Sequence, residues 1–402
     1  MPKLRDFDSP YNQLAENGKI LQIPQKVEIQ DLTLEADGEE MAGLRFSHAD
    51  RINIAKGLDD AGIHRMAVLG NSPSPTPDEI KSAQAIVDLD LKSKIGAFVK
   101  TTQEIDICAE IGLWGVTILV GINDKVLTNK RTGQYVIDRC KELLARARKR
   151  DLHVTFMGMD CTRTTPAFLE KVVVELDPYF DEYVIADSLG RITPFGIRYL
   201  SSLVCQWTKK PLQLHPHNTT SMAVGNCLGA VLGGVSTLHT TMNGLGEFAG
   251  MAPTEECAVA LEMHADVSLG IDLSKLQEVA KLVERASGIN VTPGKPVTGK
   301  AAFAIPETEE HQQALYELYC EGRLEDGLPY PPELVGAKLQ MSIGRKCNAF
   351  TILYNLASNG IEVGLSEAEE ISQKIRDRLA EFEGYYLMDQ KELLDFVKEI
   401  QR

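Results

Sequence analysis

Short apolar runs recur along this chain, separated by longer segments with helical periodicity. The runs are VEIQDL (27–32), RMAVLG (65–70), KIGAFV (94–99), GVTILV (115–120), HVTFMG (153–158), EYVIAD (182–187), PLQLH (211–215) and VSTLHTT (235–241). Between them lie helical patterns such as HADRINIAKGLDDAG (48–62), IDRCKELLARARKR (137–150) and TPAFLEKVVVEL (165–176). Eight strand patterns, each followed by a helix pattern, predict an α/β fold in which a parallel sheet closes into a (β/α)₈ TIM barrel. The alternative is an open doubly wound sheet. That fold usually carries a glycine-rich phosphate loop after its first strand, and LTLEADGEE offers none.

Residues 1–26 read as an irregular lead-in and 27–271 as the barrel. From residue 272 the pattern changes to a C-terminal helical appendage, 272–402. It opens with the helix pattern DLSKLQEVAKLVERASG (272–288) and the turn-rich stretch NVTPGKPVTGKAAF (290–303). Helices are expected near 308–322, 345–359, 366–382 and 389–401, with RLEDGLPYPPELVG (323–336) as a linker.

The length of 402 residues suits one large barrel plus an appendage, and 44% hydrophobic residues suffice for its core. The net charge of −15 argues against a nucleic-acid partner, which needs a basic surface. The eight cysteines include no CxxC pair, so buried free thiols are expected rather than disulfides. No apolar run is long enough for a membrane span, and MPKLRDFDSPYNQ lacks the apolar core of a signal peptide. A cytoplasmic location is the expectation.

Barrel enzymes place their working groups at the C-terminal ends of strands. The seventh run ends in His215-Pro216-His217-Asn218. Residues two apart on a strand face the same side, so both imidazoles point into one space, as a mononuclear metal site requires. The alternative is a pair of ordinary surface histidines. The first run leads to Glu35 and Asp37, and a carboxylate there completes a two-imidazole, one-carboxylate set; otherwise Asp37-Gly38 is merely a turn. After the eighth run, Asn243-Gly244-Leu245-Gly246-Glu247 offers glycines for close ligand approach and Asn243 as a further ligand. Lys100, Asp160, Arg163, Asp187 and Ser188 stand at other strand ends, and Asn71 in the loop after the second.

These motifs resemble the DRE-TIM metallolyases, in the HMG-CoA lyase-like superfamily. DLTLEADGEE resembles their D-T-T-L-R-D-G-E-Q opening, LHPHNTTSMAVGN their L-x-x-H-x-H-N-D-x-G-M-A-V-A-N segment, and NGLGEFAGMAPTEE their N-G-I-G-E-R-A-G-N-A-x-x-E-E. LVERASGINVTPGKPVTGKAAFA and ELVG…IGRKCNAF resemble the helical region of isopropylmalate and homocitrate synthases. The resemblance implies one divalent metal (Mg, Mn or Zn) held by Asp37, His215 and His217, with Asn243 close by. It implies aldol- or Claisen-type chemistry on a small-molecule carboxylate, with an acyl-CoA as co-substrate in the synthase branch. It also implies a homodimer. Asn71, Asp187, Ser188, Asn218, Gly244 and Gly246 are then expected to contact substrate.

The chain departs from the pattern at several points. The family's Arg before the metal Asp is absent, and Glu35-Ala36-Asp37 carries one extra residue. The catalytic Glu of F-S-P-E-D-A-T-R falls on Met159, and the Glu of I-E-V-G on Ala67. The histidines of A-F-x-H-E-S-G-I-H fall on Ile305 and Glu310, with His311 one place off. Glu35, Lys100, Asp160 and Arg163 are therefore the candidates for acid, base or charge-stabilising roles. Three readings follow: a condensing enzyme of altered substrate choice, a lyase that cleaves a hydroxy acid, or a non-catalytic metal-binding partner subunit.

Overall fold

Eight parallel strands close on themselves in chain order: β1 (Glu28–Asp31), β2 (Arg65–Leu69), β3 (Lys94–Val99), β4 (Gly115–Gly121), β5 (His153–Met159), β6 (Glu182–Asp187), β7 (Leu212–Pro216) and β8 (Thr237–Thr240). The ring is sealed by β1 against β8, where Glu28 faces Thr237 and Asp31 faces Thr240. This is the expected TIM barrel, seen in a computed structural model that describes residues 23–70, 75–128, 132–305, 308–384 and 386–400, with Lys3 and Asp6.

The helices around the barrel start where the sequence supplies caps. Ser47, Thr76 and Thr101 each accept from the third helical N–H while Asp50, Glu79 and Glu104 reach back. They open α1 (His48–Asp60), α2 (Pro77–Val87) and α3 (Thr102–Glu110). α4 (Gly133–Arg148), α5 (Pro166–Leu176), α6 (Pro194–Trp207), α7 (Ala223–Leu232) and α8 (Thr254–His264) continue the ring. Pro77, Pro166 and Pro194 occupy first-turn positions, where the missing N–H has no partner to lose.

Two compact units divide the chain, residues 1–291 and 292–402. The helix grouped above with the appendage, α9 (Leu276–Ser287), belongs to the first unit. Gly57 on α1 explains the docking: a Cβ there would lie 3.5 Å from Val279 and 3.6 Å from Leu282, so these side chains close directly over the α1 backbone. The second unit contains α10 (Glu309–Cys320), α11 (Ala349–Ala357), α12 (Leu365–Leu379) and α13 (Gln390–Ile400), with a short parallel pair, β9 (Ala304–Ile305) and β10 (Gln340–Met341). Its core gathers Ile343, Ile352, Leu356, Ile371, Ile375 and Leu393. All eight cysteines are free thiols, and the expected burial fails at exposed Cys320 and half-buried Cys205. Among the described residues, no helix is long and apolar enough to cross a membrane.

Inside the barrel the side chains form layers. At the N-terminal floor, Arg65 donates to Glu28 and to both oxygens of Glu182. Trp114 lies between cations there, with Lys94 Nζ 4.6 Å and the Arg65 guanidinium 5.2 Å from its ring, and it stacks on His153 at 4.1 Å. Above this, Leu32, Ala67, Phe98, Leu119, Met157, Val184, Ala186 and Met251 form an apolar layer. The polar groups of the mouth stand on that layer.

Candidate metal centre

β7 ends by presenting His215 and His217 to the same side, as alternation on a strand requires. The chain after β1 turns through a single helical turn, Ala36–Glu39, that lays Asp37 against them. Glu35 steers this turn, its Oε2 accepting the Asp37 N–H at 2.8 Å. The glycines after β8 hold the opposite side. Gly246 (φ 141°) brings the loop so close that a Cβ would sit 2.9 Å from the Asp37 carbonyl oxygen, and a Cβ on Gly250 (φ 85°) would sit 1.9 Å from that of Gly244.

Ligand atoms of Asp37, His215 and His217 all lie within 4.8 Å of one another, and all three residues are buried. His215 Nε2 is 3.7 Å and His217 Nε2 4.0 Å from Asp37 Oδ1. The two Nε2 atoms are 3.3 Å apart. Ligands about 2.1 Å from a common ion, at tetrahedral or octahedral angles, are about 3.0–3.5 Å apart. The triangle therefore fits a divalent cation after a contraction of a few tenths of an ångström.

The electrostatics agree with the donor set. Burial pushes the His215 imidazole down to about 4, and burial together with His215 lowers that of His217. Both rings are thus neutral donors. Burial raises Asp37, with His217 pulling it back down. A cation would relieve the desolvation that burdens this carboxylate.

The other expected site residues are placed as follows. Glu35 is fully buried, and burial and the Asp37 charge raise its carboxyl well above the ordinary range. Its Oε1 has no partner and fits the space a Gly70 side chain would fill. Asp160 is bound by Arg163 through both oxygens and by Asn123 Nδ2 at 2.6 Å, so the two charged candidates neutralise each other. Ser188 Oγ accepts the Asp160 N–H at 2.9 Å. Asp187 accepts from Thr162 Oγ1 and from the N–H groups of Arg191 and Ile192, which bind its oxygens into its own loop. Asn218 Oδ1 accepts the Ala223 N–H at the start of α7. Asn243 donates Nδ2 to the Ala280 carbonyl at 2.9 Å, and its Oδ1 is buried without a partner. Gly244 is left-handed (φ 74°) and shapes the loop. Asn71 lies outside the described residues. Lys100, after β3, has its charge within range of Asp37 and Glu40 and lowers both. Ala67 and Met159 line the apolar layer, Ile305 is buried in the second unit, and Glu310 and His311 are exposed there.

The pairing of two carboxylates escaped the reading of the sequence. Burial and a hydrogen bond with Glu247 push Glu40 up to about 7. The Glu247 charge in turn acts on His215 and His217. These residues are 207 positions apart in the sequence, and nothing local links them.

The profile of the HMGL-like family matches residues 26–283, which include the whole barrel and every ligand of the cluster. The chain belongs to the HMGL-like family. Among its relatives, homocitrate synthase AksA of Methanothermobacter thermautotrophicus is 29% identical over 394 residues, covering 96% of each chain. The 2-isopropylmalate synthase of Methanocaldococcus jannaschii is 29% identical and covers 89% of this chain and 68% of its own. The fold of this HMGL-like chain is also that of hydroxymethylglutaryl-CoA lyase from Pseudomonas aeruginosa, with a TM-score of 0.59 at 19% identity over 67% of this chain and 95% of that one.

Proposed function

We propose that this chain is a divalent-metal-dependent enzyme that forms a carbon–carbon bond by condensing an acyl-CoA with a 2-oxo acid. The observation that carries the reading is the Asp37–His215–His217 triangle at the mouth of a barrel that matches a homocitrate synthase over nearly its full length. A bound divalent ion supplies Lewis-acid polarisation of the 2-oxo acid carbonyl. In the condensation the acyl-CoA α-carbon loses a proton and attacks that carbonyl carbon. Water then cleaves the thioester and releases the thiol.

The chain's own groups divide this work. Among the described residues the Lys100 ammonium has no ion-pair partner, and its charge reaches Asp37 and Glu40. It takes the charge-stabilising role that the family gives to Arg before the metal Asp. The Glu40–Glu247 pair, whose Glu40 member is held near 7, takes the proton-transfer role. Glu35 orients the Asp37 turn. The pair Asp160–Arg163 shapes a cavity of about 240 Å³ with Asn123, Met159 and Ser188.

The proposal includes a homodimer in the cytoplasm. Eight free thiols suit a reducing compartment, and the synthase-like helical region suits a paired enzyme. A monomer in light scattering removes that part.

The test is a thiol-release assay on protein loaded with Mg²⁺, Mn²⁺ or Zn²⁺, run with acetyl-CoA against a panel of 2-oxo acids. Turnover with at least one acid is expected, and Lys100→Met should lower kcat by about 100-fold while leaving metal bound. The apolar Ala67 and Met159, where the family carries carboxylates, favour a second reading, a non-catalytic metal-binding subunit. Stoichiometric metal with no turnover on any pair selects that reading.

A further inference from the structure

A line of hydrogen-bonded side chains runs down the inside of the barrel from the mouth to the floor. His215 Nδ1 lies 3.2 Å from His239 Nδ1. His239 Nε2 lies 2.6 Å from Gln213 Oε1. Gln213 Nε2 donates to Glu182, which Arg65 grips with two hydrogen bonds of 2.7 and 3.1 Å. His215 is 2% exposed, and His239 and Gln213 are 0% exposed, so no solvent intervenes. The metal site accounts for His215 alone.

The order of donors along this line is forced from its lower end. An ionised carboxylate paired with a guanidinium accepts and never donates, so Gln213 must turn its NH₂ toward Glu182. The amide oxygen of Gln213 then faces His239, whose Nε2 must carry the proton. A neutral imidazole carries one proton, so His239 Nδ1 is the acceptor. Only a donor satisfies it, and that donor is His215 Nδ1–H. The Nε2 of His215 is left with a bare lone pair, and it is Nε2 that points at Asp37 Oδ1 and His217 Nε2. His217 has no such help, because its Nδ1 is buried without a partner.

We propose that Glu182, acting through Gln213 and His239, is a positioning relay that holds His215 in the Nδ1–H tautomer and so presents Nε2 to the cation. The inference rests on the metal reading of the mouth, but it concerns residues at the centre and floor of the barrel. Groups that fix the tautomer of a metal-bound histidine commonly account for 10–100-fold in metal affinity. Here the charge that does so stands two intervening side chains away.

The experiment uses the full chain in two arms. In the metal-free protein labelled with ¹⁵N-histidine, ring-nitrogen NMR should show protons on His215 Nδ1 and His239 Nε2. A proton on His215 Nε2 or His239 Nδ1 overturns the relay. In the second arm, Zn²⁺ affinity is measured by chelator competition for His239→Phe and His239→Asn. Phe keeps the ring volume and removes the acceptor; Asn leaves a gap but can set an amide oxygen near the Nδ1 position. The relay predicts a 10–100-fold loss for His239→Phe and a value within about threefold of the native one for His239→Asn. A purely volumetric role predicts the reverse order, and that order overturns the proposal. Should both variants unfold, the ring-nitrogen pattern of the native chain still decides. If the native chain binds no Zn²⁺, the metal reading fails while the tautomer test of the relay stands.

Discussion

Arg65→Met offers the sharpest test of how the barrel floor is held. Arg65 stands between Glu28, at 2.6 Å, and Glu182, at 2.7 Å, and the three side chains are only 8–11% exposed. Methionine keeps much of the volume but removes the charge that joins the two carboxylates, leaving Glu28 with Lys26 and Glu182 with His153 and Gln213. Removing one partner of a buried pair costs about 3–5 kcal/mol where the remaining charge is left unmatched, and the partners that stay here place the loss at the lower end of that range. The sign of the pH dependence follows from Glu182. Burial raises this carboxyl, but the His153 imidazole 3.5 Å away and the hydrogen-bonded Arg65 guanidinium outweigh it and hold it at about 2, against 4.5 unperturbed. In the native chain its contribution of about 3 kcal/mol is therefore complete above pH 4.5 and lost as pH falls toward 2. Without Arg65 only His153 is left to oppose burial, and the folded-state value rises from the native one. The variant is then penalised most near neutrality and recovers as the carboxylates protonate. Urea denaturation at pH 7 and pH 3 measures both numbers. A loss under about 1 kcal/mol at pH 7, or one that does not shrink at the lower pH, refutes the reasoning.

Other outcomes follow from the same geometry. His217→Ala should remove stoichiometric divalent metal, read by elemental analysis after dialysis; a full equivalent retained would mean that the ion sits elsewhere. Gly250→Ala should destabilise the chain by about 1–3 kcal/mol, since its Cβ would fall 1.9 Å from the Gly244 carbonyl oxygen at a left-handed φ. Native-like thermal unfolding of that variant would contradict the packing described. Glu35→Gln should keep metal affinity within about threefold, because a carboxyl whose charged form burial disfavours is replaced by a neutral amide that can still accept the Asp37 N–H. A large loss would show that Glu35 works as a charge.

The strands were legible because they are largely buried on both faces and bounded by turns, and the observed limits differ from the apolar runs by at most two residues. His215 and His217 were legible because their spacing is that of one strand face. Asp37 needed more, since the short turn that carries it toward β7 follows no simple period. Asp187 shows where local reading stops. A carboxylate at a strand end resembles a substrate contact, but the loop beyond it curls back so that two of its N–H groups bind the carboxylate. Asp160 and Arg163 are three residues apart on one helical turn, and they meet each other before any ligand. Glu40, Glu247, His239 and Gln213 gain their meaning from partners on other strands and loops, which no motif records.

Trp114 is one of only two tryptophans in the chain, and its indole lies flat against the imidazole of His153 beside Arg65 and Lys94. The molecule therefore carries a fluorophore at the base of its relay, far along the barrel from where chemistry would occur. Changes in ionisation or packing beneath the sheet should alter its emission, so the state of that base could be followed optically without attaching any label.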